Sequence, residues 1–167
     1  MYDELTREDI AKMQEEIRHR VQDLRPKLIE DVKVARAFGD LSENFEYKCA
    51  KQEKNRNDAR IRYLERMVKT AHVVEDKSAA DEVGLFDLVE ILMEQNGKTR
   101  NIRIVTTLRQ NALQGSISKE SPVGQAVLGH KAGERVYVDM GQGKEYYLTI
   151  LSIEKGTDDG SLPISRF

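Results

Sequence analysis

Apolar positions in the first quarter of the chain form a helical stripe: Ile10, Met13, Ile17, Val21, Leu24, Leu28, Val32 and Ala35. Their spacings of 3, 4, 4, 3, 4, 4 and 3 follow an eleven-residue period, which predicts a nearly straight helix rather than a tightly supercoiled one. Thr6 with Asp9 three residues later supplies a start signal, and Phe38-Gly39 a stop. Pro26 lies inside the stripe and predicts a bend, because it removes one hydrogen bond while the pattern continues in phase. A second helix is expected to begin within Asp40–Asn44 and run to about Val74. Its stripe comprises Phe45 and Cys49 near the start and Ile61, Leu64, Val68 and Ala71 farther on, with the polar run Lys51–Asp58 between. A turn this short makes the helices antiparallel neighbours, and roughly 30 residues each gives a hairpin about 45–50 Å long.

After residue 80 the pattern switches to strands. Leu85–Met93 and Thr99–Thr107 flank an Asn96-Gly97 turn, and Arg135–Met140 and Lys144–Glu154 flank Gly141-Gln142-Gly143. Ser121-Pro122 starts a short helix ending at Leu128-Gly129. The expected class is therefore α+β: a helical hairpin over 1–76, a linker over 77–84, and a small sheet carrying one helix over 85–167. The stretch Lys155–Phe167, rich in Gly, Asp, Ser and Pro, is expected to be loose.

Charged residues make up 34% of the 167 positions, too many for one compact globule but natural for an exposed hairpin joined to a small domain. The 27 basic and 29 acidic residues are balanced in both halves, so no net field drives sequence-independent DNA binding; nucleic acid is touched locally or through a partner. A single cysteine leaves no disulfide framework and fits a reducing cytoplasm, and Cys49 reads as a small packing residue. An acidic, polar start and the absence of a long apolar run predict a soluble protein with no membrane partner. No nucleophile constellation, zinc spacing or phosphate-binding glycine loop is present, and His19, His72 and His130 are scattered.

The segment Gly39-Asp40-Leu41-Ser42-Glu43-Asn44-Phe45-Glu46-Tyr47 sets two carboxylates, Asp40 and Glu43, at the far end of the hairpin. On local sequence alone they read as a capping box at the second helix start; a carboxylate has enough acceptor sites to cap and to bind a cation as well.

This segment resembles the tip signature of the bacterial Gre transcript-cleavage factors, GreA type. The resemblance extends through Arg25-Pro26, Ala35-Arg36, Ala50-Lys51, Ala59-Arg60-Ile61 and Ala71-His72-Val73, and through a second motif running from Gly115-Ser116-Ile117-Ser118 to Leu128-Gly129. It implies a transcription elongation factor, probing bacterial RNA polymerase through its secondary channel, with a C-terminal FKBP-like domain docked at the rim. It also implies that Asp40 and Glu43 complete, in trans, a Mg²⁺ site shared with the polymerase, so that the factor stimulates RNA cleavage in backtracked complexes without being an enzyme itself. The free protein, expected to be a monomer, would bind Mg²⁺ weakly, since one or two carboxylates form only part of such a site. Arg36 and Lys51 match basic positions beside the nascent RNA 3′ end, and Glu120, Ser121 and Pro122 the docking motif. Against these stand ordinary solvated charge for the first pair and a helix cap for the second. Phe45, where the family carries a small residue, is expected with Tyr47 to pack against the tip, with base stacking as the other role. The alternative function is a channel-binding regulator that does not promote cleavage.

Overall fold

The computed structural model describes residues 4–39 and 44–165. The chain divides into two compact units, one from Ile10 to Ala71 and the other formed by Glu4–Asp9 together with the chain from His72 onward.

The first unit is the helical hairpin. A short strand β1 (Glu4–Leu5) precedes α1 (Arg7–His19), a π-helical turn (Arg20–Leu24), and α2 (Arg25–Arg36); α3 (Phe45–Thr70) returns alongside. Pro26 falls in the first turn of α2, which continues directly from the helical turn before it, so its missing N–H leaves that turn one hydrogen bond short. The wider π turn just before it, closed by the Arg25 N–H to the Arg20 carbonyl, absorbs the interruption that the sequence predicted as a bend. This turn also resets the stripe. Val21 faces solvent, while Arg20 lies half-buried against α3 through its hydrogen bond to Asn57. The helix α3 ends at Thr70, short of Val74, and its 26 residues span about 39 Å. Ile61 and Leu64 are buried as the stripe requires and Val68 and Ala71 are half-buried, but Met67, outside the stripe, is buried as well, and Phe45 and Cys49 are exposed. Near the tip the half-buried positions are Tyr47 and Ala50 instead, so Cys49 is not a packing residue.

In the second unit, β1 pairs in parallel with β2 (His72–Val73). The main sheet comprises β3 (Leu88–Met93), β4 (Lys98–Val105), β5 (Ser116–Ser118), β6 (Arg135–Asp139) and β7 (Glu145–Glu154), in the order β5-β4-β3-β7-β6. The helix α4 (Pro122–Val127) lies between β5 and β6 in sequence. Within this main sheet the pairings are antiparallel except β4–β5. The strand β5 was not expected, because three residues with the pattern Ser-Ile-Ser carry too little periodicity to announce themselves. Val89, Ile91, Ile102, Ile104, Val136, Val138, Leu148 and Ile150 project from one face into the core, joined by Val127 of α4. Val83, within the stretch expected to link the two parts, belongs to that core.

The segment 156–165 is not loose. Asp158 accepts two hydrogen bonds from the Arg109 guanidinium, at 2.6 and 2.9 Å. The Gly156 N–H donates to the buried Asp87, Leu162 packs on the core, and the Ser165 N–H donates to the Leu108 carbonyl. Among the described residues no helix is long and apolar enough to cross a membrane.

Candidate functional site at the hairpin end

The acids Asp40 and Glu43 lie outside the described residues. What the structure does define is the frame on either side of them. Ala37 closes α2, and Gly39 follows with φ 137°, a conformation that excludes most side chains. On the return side Asn44 is the N-cap of α3: its side-chain oxygen accepts the Tyr47 N–H at 3.0 Å. The same amide donates to the Ala35 carbonyl at 2.7 Å, so one side chain caps α3 and ties its start to the last turn of α2. A capping box on Asp40 and Glu43 would have started the helix four residues earlier. Asn44 was missed as a key residue because Asp, Ser, Glu and Asn crowd this turn, and only the position of α2 selects among them. Asn44→Ala is expected to lower hairpin stability by about 1–2 kcal/mol, the loss of a cap and its bridge. Urea titration of helicity checks this; a change below about 0.5 kcal/mol would argue against the double role.

Arg36, the last residue of α2, and Lys51, in the second turn of α3, are both exposed. The Lys51 ammonium sits 5.9 Å from the centre of the Tyr47 ring, a cation–π distance.

Below the tip, the polar run of α3 proves to be an interface. Glu16 accepts hydrogen bonds from Arg20 (2.7 Å) and Arg60 (3.0 and 3.1 Å), and Arg20 donates to the buried Asn57. Asp58 pairs with Lys54 at 2.8 Å and with Arg25 at 3.2 Å. Directional contacts of this kind fix which residues of the two helices face each other, which a uniform apolar seam would not. Burial pushes the Glu16 carboxyl upward, but the hydrogen bonds from Arg60 and Arg20 outweigh it and hold the pKa below the ordinary value. The Lys54 hydrogen bond does the same for Asp58. For depressed carboxylates the stabilisation is complete above the ordinary range and disappears as pH falls through the lowered values. Hairpin helicity in moderate urea should therefore hold to about pH 5 and decline below about pH 4. Glu16→Gln should flatten that acid limb, and an unchanged limb would count against the network.

In the second unit the structure places Glu120, Ser121 and Pro122 at the start of α4. The Ser121 hydroxyl accepts the Gly124 N–H at 3.0 Å and donates to the Ser118 carbonyl at 2.7 Å, so it serves as the helix cap. A Cβ on Gly124 would stand 2.2 Å from that carbonyl, which is why the turn requires glycine here. Glu120 and Pro122 face solvent, and Lys119 between the strand and the cap is ion-paired to Glu4. The helix-cap reading of Ser121 is thus correct, and it leaves its two neighbours available at the surface.

Fold and sites together define a two-unit α+β protein whose candidate residues lie at a hairpin end and on a capped loop. The family description "Transcription elongation factor, N-terminal" matches residues 4–73, and "Transcription elongation factor, GreA/GreB, C-term" matches residues 77–155. Among curated relatives, a transcription elongation factor GreA of Mesoplasma florum is 38% identical over 135 residues, covering 80% of this chain and 86% of its own. A GreA of Thermotoga maritima is 35% identical over 151 residues, covering 90% and 97%. Among solved structures, GreA factor homolog 1 of Thermus thermophilus is similar at 24% identity and a TM-score of 0.42, covering 93% of this chain and all of its own. The chain belongs to the GreA/GreB family of transcription elongation factors.

Proposed function

We propose that this chain binds bacterial RNA polymerase through its secondary channel and stimulates cleavage of the RNA 3′ segment in backtracked, arrested complexes. The observation that carries the proposal is the match of both family descriptions, in order, around an intact acidic pair. The capping of α3 by Asn44 supports it, because the helix start does not need Asp40 or Glu43 for the Tyr47 N–H. A pair of carboxylates suits Mg²⁺, which takes one or two carboxylates and completes its shell with water and phosphate oxygens. Asp40 and Glu43 would hold that ion jointly with the polymerase; when bound, it would favour attack of water on a phosphodiester and accept charge from the leaving oxygen. The chain's own residues present the two acids on a narrow stem, brace the stem through Asn44 and the Glu16–Arg60 network, and set Arg36 and Lys51 where phosphates of the RNA 3′ end would pass. The bond-breaking centre belongs to the polymerase, and this protein acts on it in trans. Glu120, Ser121 and Pro122 would dock the second unit, an FKBP-like domain, at the channel rim.

The test is release of 3′ fragments from a stalled, backtracked elongation complex, comparing wild type with Asp40→Asn at equal occupancy. Release by the wild type alone supports the proposal. Binding without release by either protein would replace it with a channel-binding regulator that does not promote cleavage.

A further inference from the structure

The strand β6 ends the main sheet, with β7 as its neighbour on one side. The Ile150 N–H donates to the Glu134 carbonyl and the Met140 N–H to the Lys144 carbonyl, so the even-numbered residues of this stretch bond toward β7. The N–H and C=O groups of Arg135, Tyr137 and Asp139 therefore point away from the sheet, and no described residue bonds to them. Proteins usually blunt such an edge with proline, a bulge or an inward-facing charge. The strand β6 has none of these: its inward residues are Val136 and Val138, both in the core, and its register with β7 is unbroken. Burial of the valines leaves Arg135, Tyr137 and Asp139 on the outer face. There the Tyr137 and Tyr147 rings meet edge to face, 5.4 Å apart, in a row that stops at the edge with Tyr137 45% exposed. Arg135 gives Nε and one terminal nitrogen to Glu94, and Asp139 gives one oxygen to the Gly141 N–H. The other terminal nitrogen and the other oxygen have no described partner.

We infer that β6 is a self-association edge, pairing antiparallel with β6 of a second copy about a two-fold axis at Tyr137. The order Arg-Val-Tyr-Val-Asp selects the second copy. In that register Arg135 stands opposite the partner's Asp139, Asp139 opposite the partner's Arg135, and Tyr137 opposite the partner's Tyr137. The N–H and C=O of all three residues find partners, and the two tyrosine rows join into one. Cross-strand pairs of opposite charge and of aromatic rings are what stabilise sheet neighbours. Shifting the pairing by two residues either way leaves both charges unmatched, and in-register parallel pairing sets like charges side by side. An extended segment of another protein is the competing occupant, but only a second copy matches the Arg-to-Asp order by symmetry. Edge pairing over five residues buries far less than the about 1,600 Å² of a standard interface, so the association is weak, on the order of 100 µM. The expected monomer is then the dilute form. This surface is independent of polymerase binding and of the acidic pair.

The experiment is sedimentation of the full chain at low ionic strength, between about 10 µM and 1 mM. The wild-type mass should rise from one chain toward two across that range, and the Tyr137 N–H should become protected from exchange as it does. Arg135→Glu and Asp139→Arg should each raise the dissociation constant at least about tenfold, since either sets two like-charged pairs across the axis. Mixing the two variants should restore association to within about threefold of wild type, because every pair in the mixed dimer is again of opposite sign. A wild type that stays monomeric at the highest concentration overturns the inference, and capture of an extended peptide at these amides would then assign the edge to another protein. Association that leaves the Tyr137 N–H exchanging at its dilute rate overturns it too, whatever the variants do. Variants that associate like wild type place the contact elsewhere and overturn it. A mixture that stays monomeric, with each variant folded by circular dichroism, overturns the Arg135–Asp139 register and with it the choice of a second copy.

Discussion

Replacing Arg109 by Ala is expected to destabilise the sheet unit by about 3–5 kcal/mol, the cost of removing one partner from a buried ion pair. The Arg109 side chain is fully buried and makes three charge-assisted contacts. Its Nε donates to Asp9 at 2.5 Å and its two terminal nitrogens to Asp158. Asp9 is also fully buried, accepting from the Thr6 N–H and the Thr106 hydroxyl, and Thr6 donates to Asp158. The Arg109 Cζ lies 5.4 Å from the centre of the ring of Phe86, a residue whose backbone is held at φ 67°, a region costly for a bulky side chain. Deleting the guanidinium leaves the buried Asp9 carboxylate without its countercharge and removes the link between the segment 4–9 and the segment 156–165. Asp158→Asn should cost less, since that carboxylate is partly exposed and an amide oxygen still accepts from Arg109. Amide exchange at Ile104 and Leu148, in the centre of the sheet, measures the effect without interference from the hairpin. A loss under about 1 kcal/mol for Arg109→Ala would mean that the cluster relaxes into water and contributes little.

The second large effect is on activity. Asp40→Asn and Glu43→Gln are each expected to reduce stimulated cleavage on the order of 100-fold, comparable to losing one preorganised electrostatic partner of a transition state. Stability should move by less than about 0.5 kcal/mol, because the return helix is capped by Asn44 and braced lower down. The combination discriminates between roles: a helix-capping acid loses stability with activity, whereas a metal-ligating acid loses activity alone. Cleavage at the wild-type level in either variant would remove the acids from the mechanism.

Much of the architecture is legible in the sequence. The stripe of α1 and α2, the Asn-Gly turn between β3 and β4, and the Ser-Pro start of α4 each carry a local signal, set by backbone chemistry within a few residues. Errors clustered where the deciding partner is distant in sequence. Phe45 and Cys49 fit an apolar spacing but face water, while Tyr47 and Ala50 are the half-buried positions of that stretch. The tail reads as loose in sequence because its anchor, Asp158, is one acid among 29 until Arg109 stands opposite it.

The sequence by itself determined the periods, and hence a hairpin and a sheet, and it placed the acidic pair between two helices. It also carried the two ordered motifs that mark the family. The tertiary structure decided which polar side chain caps the return helix, which residues of the two helices face each other, and which parts of the chain the sheet unit holds. Those outcomes depend on hydrogen bonds and ion pairs between residues 9 to about 150 positions apart, such as Asn44 with Ala35 and Thr6 with Asp158. Such contacts have strict geometry and leave no periodic trace, whereas burial of an apolar face repeats along the chain and can be read from it.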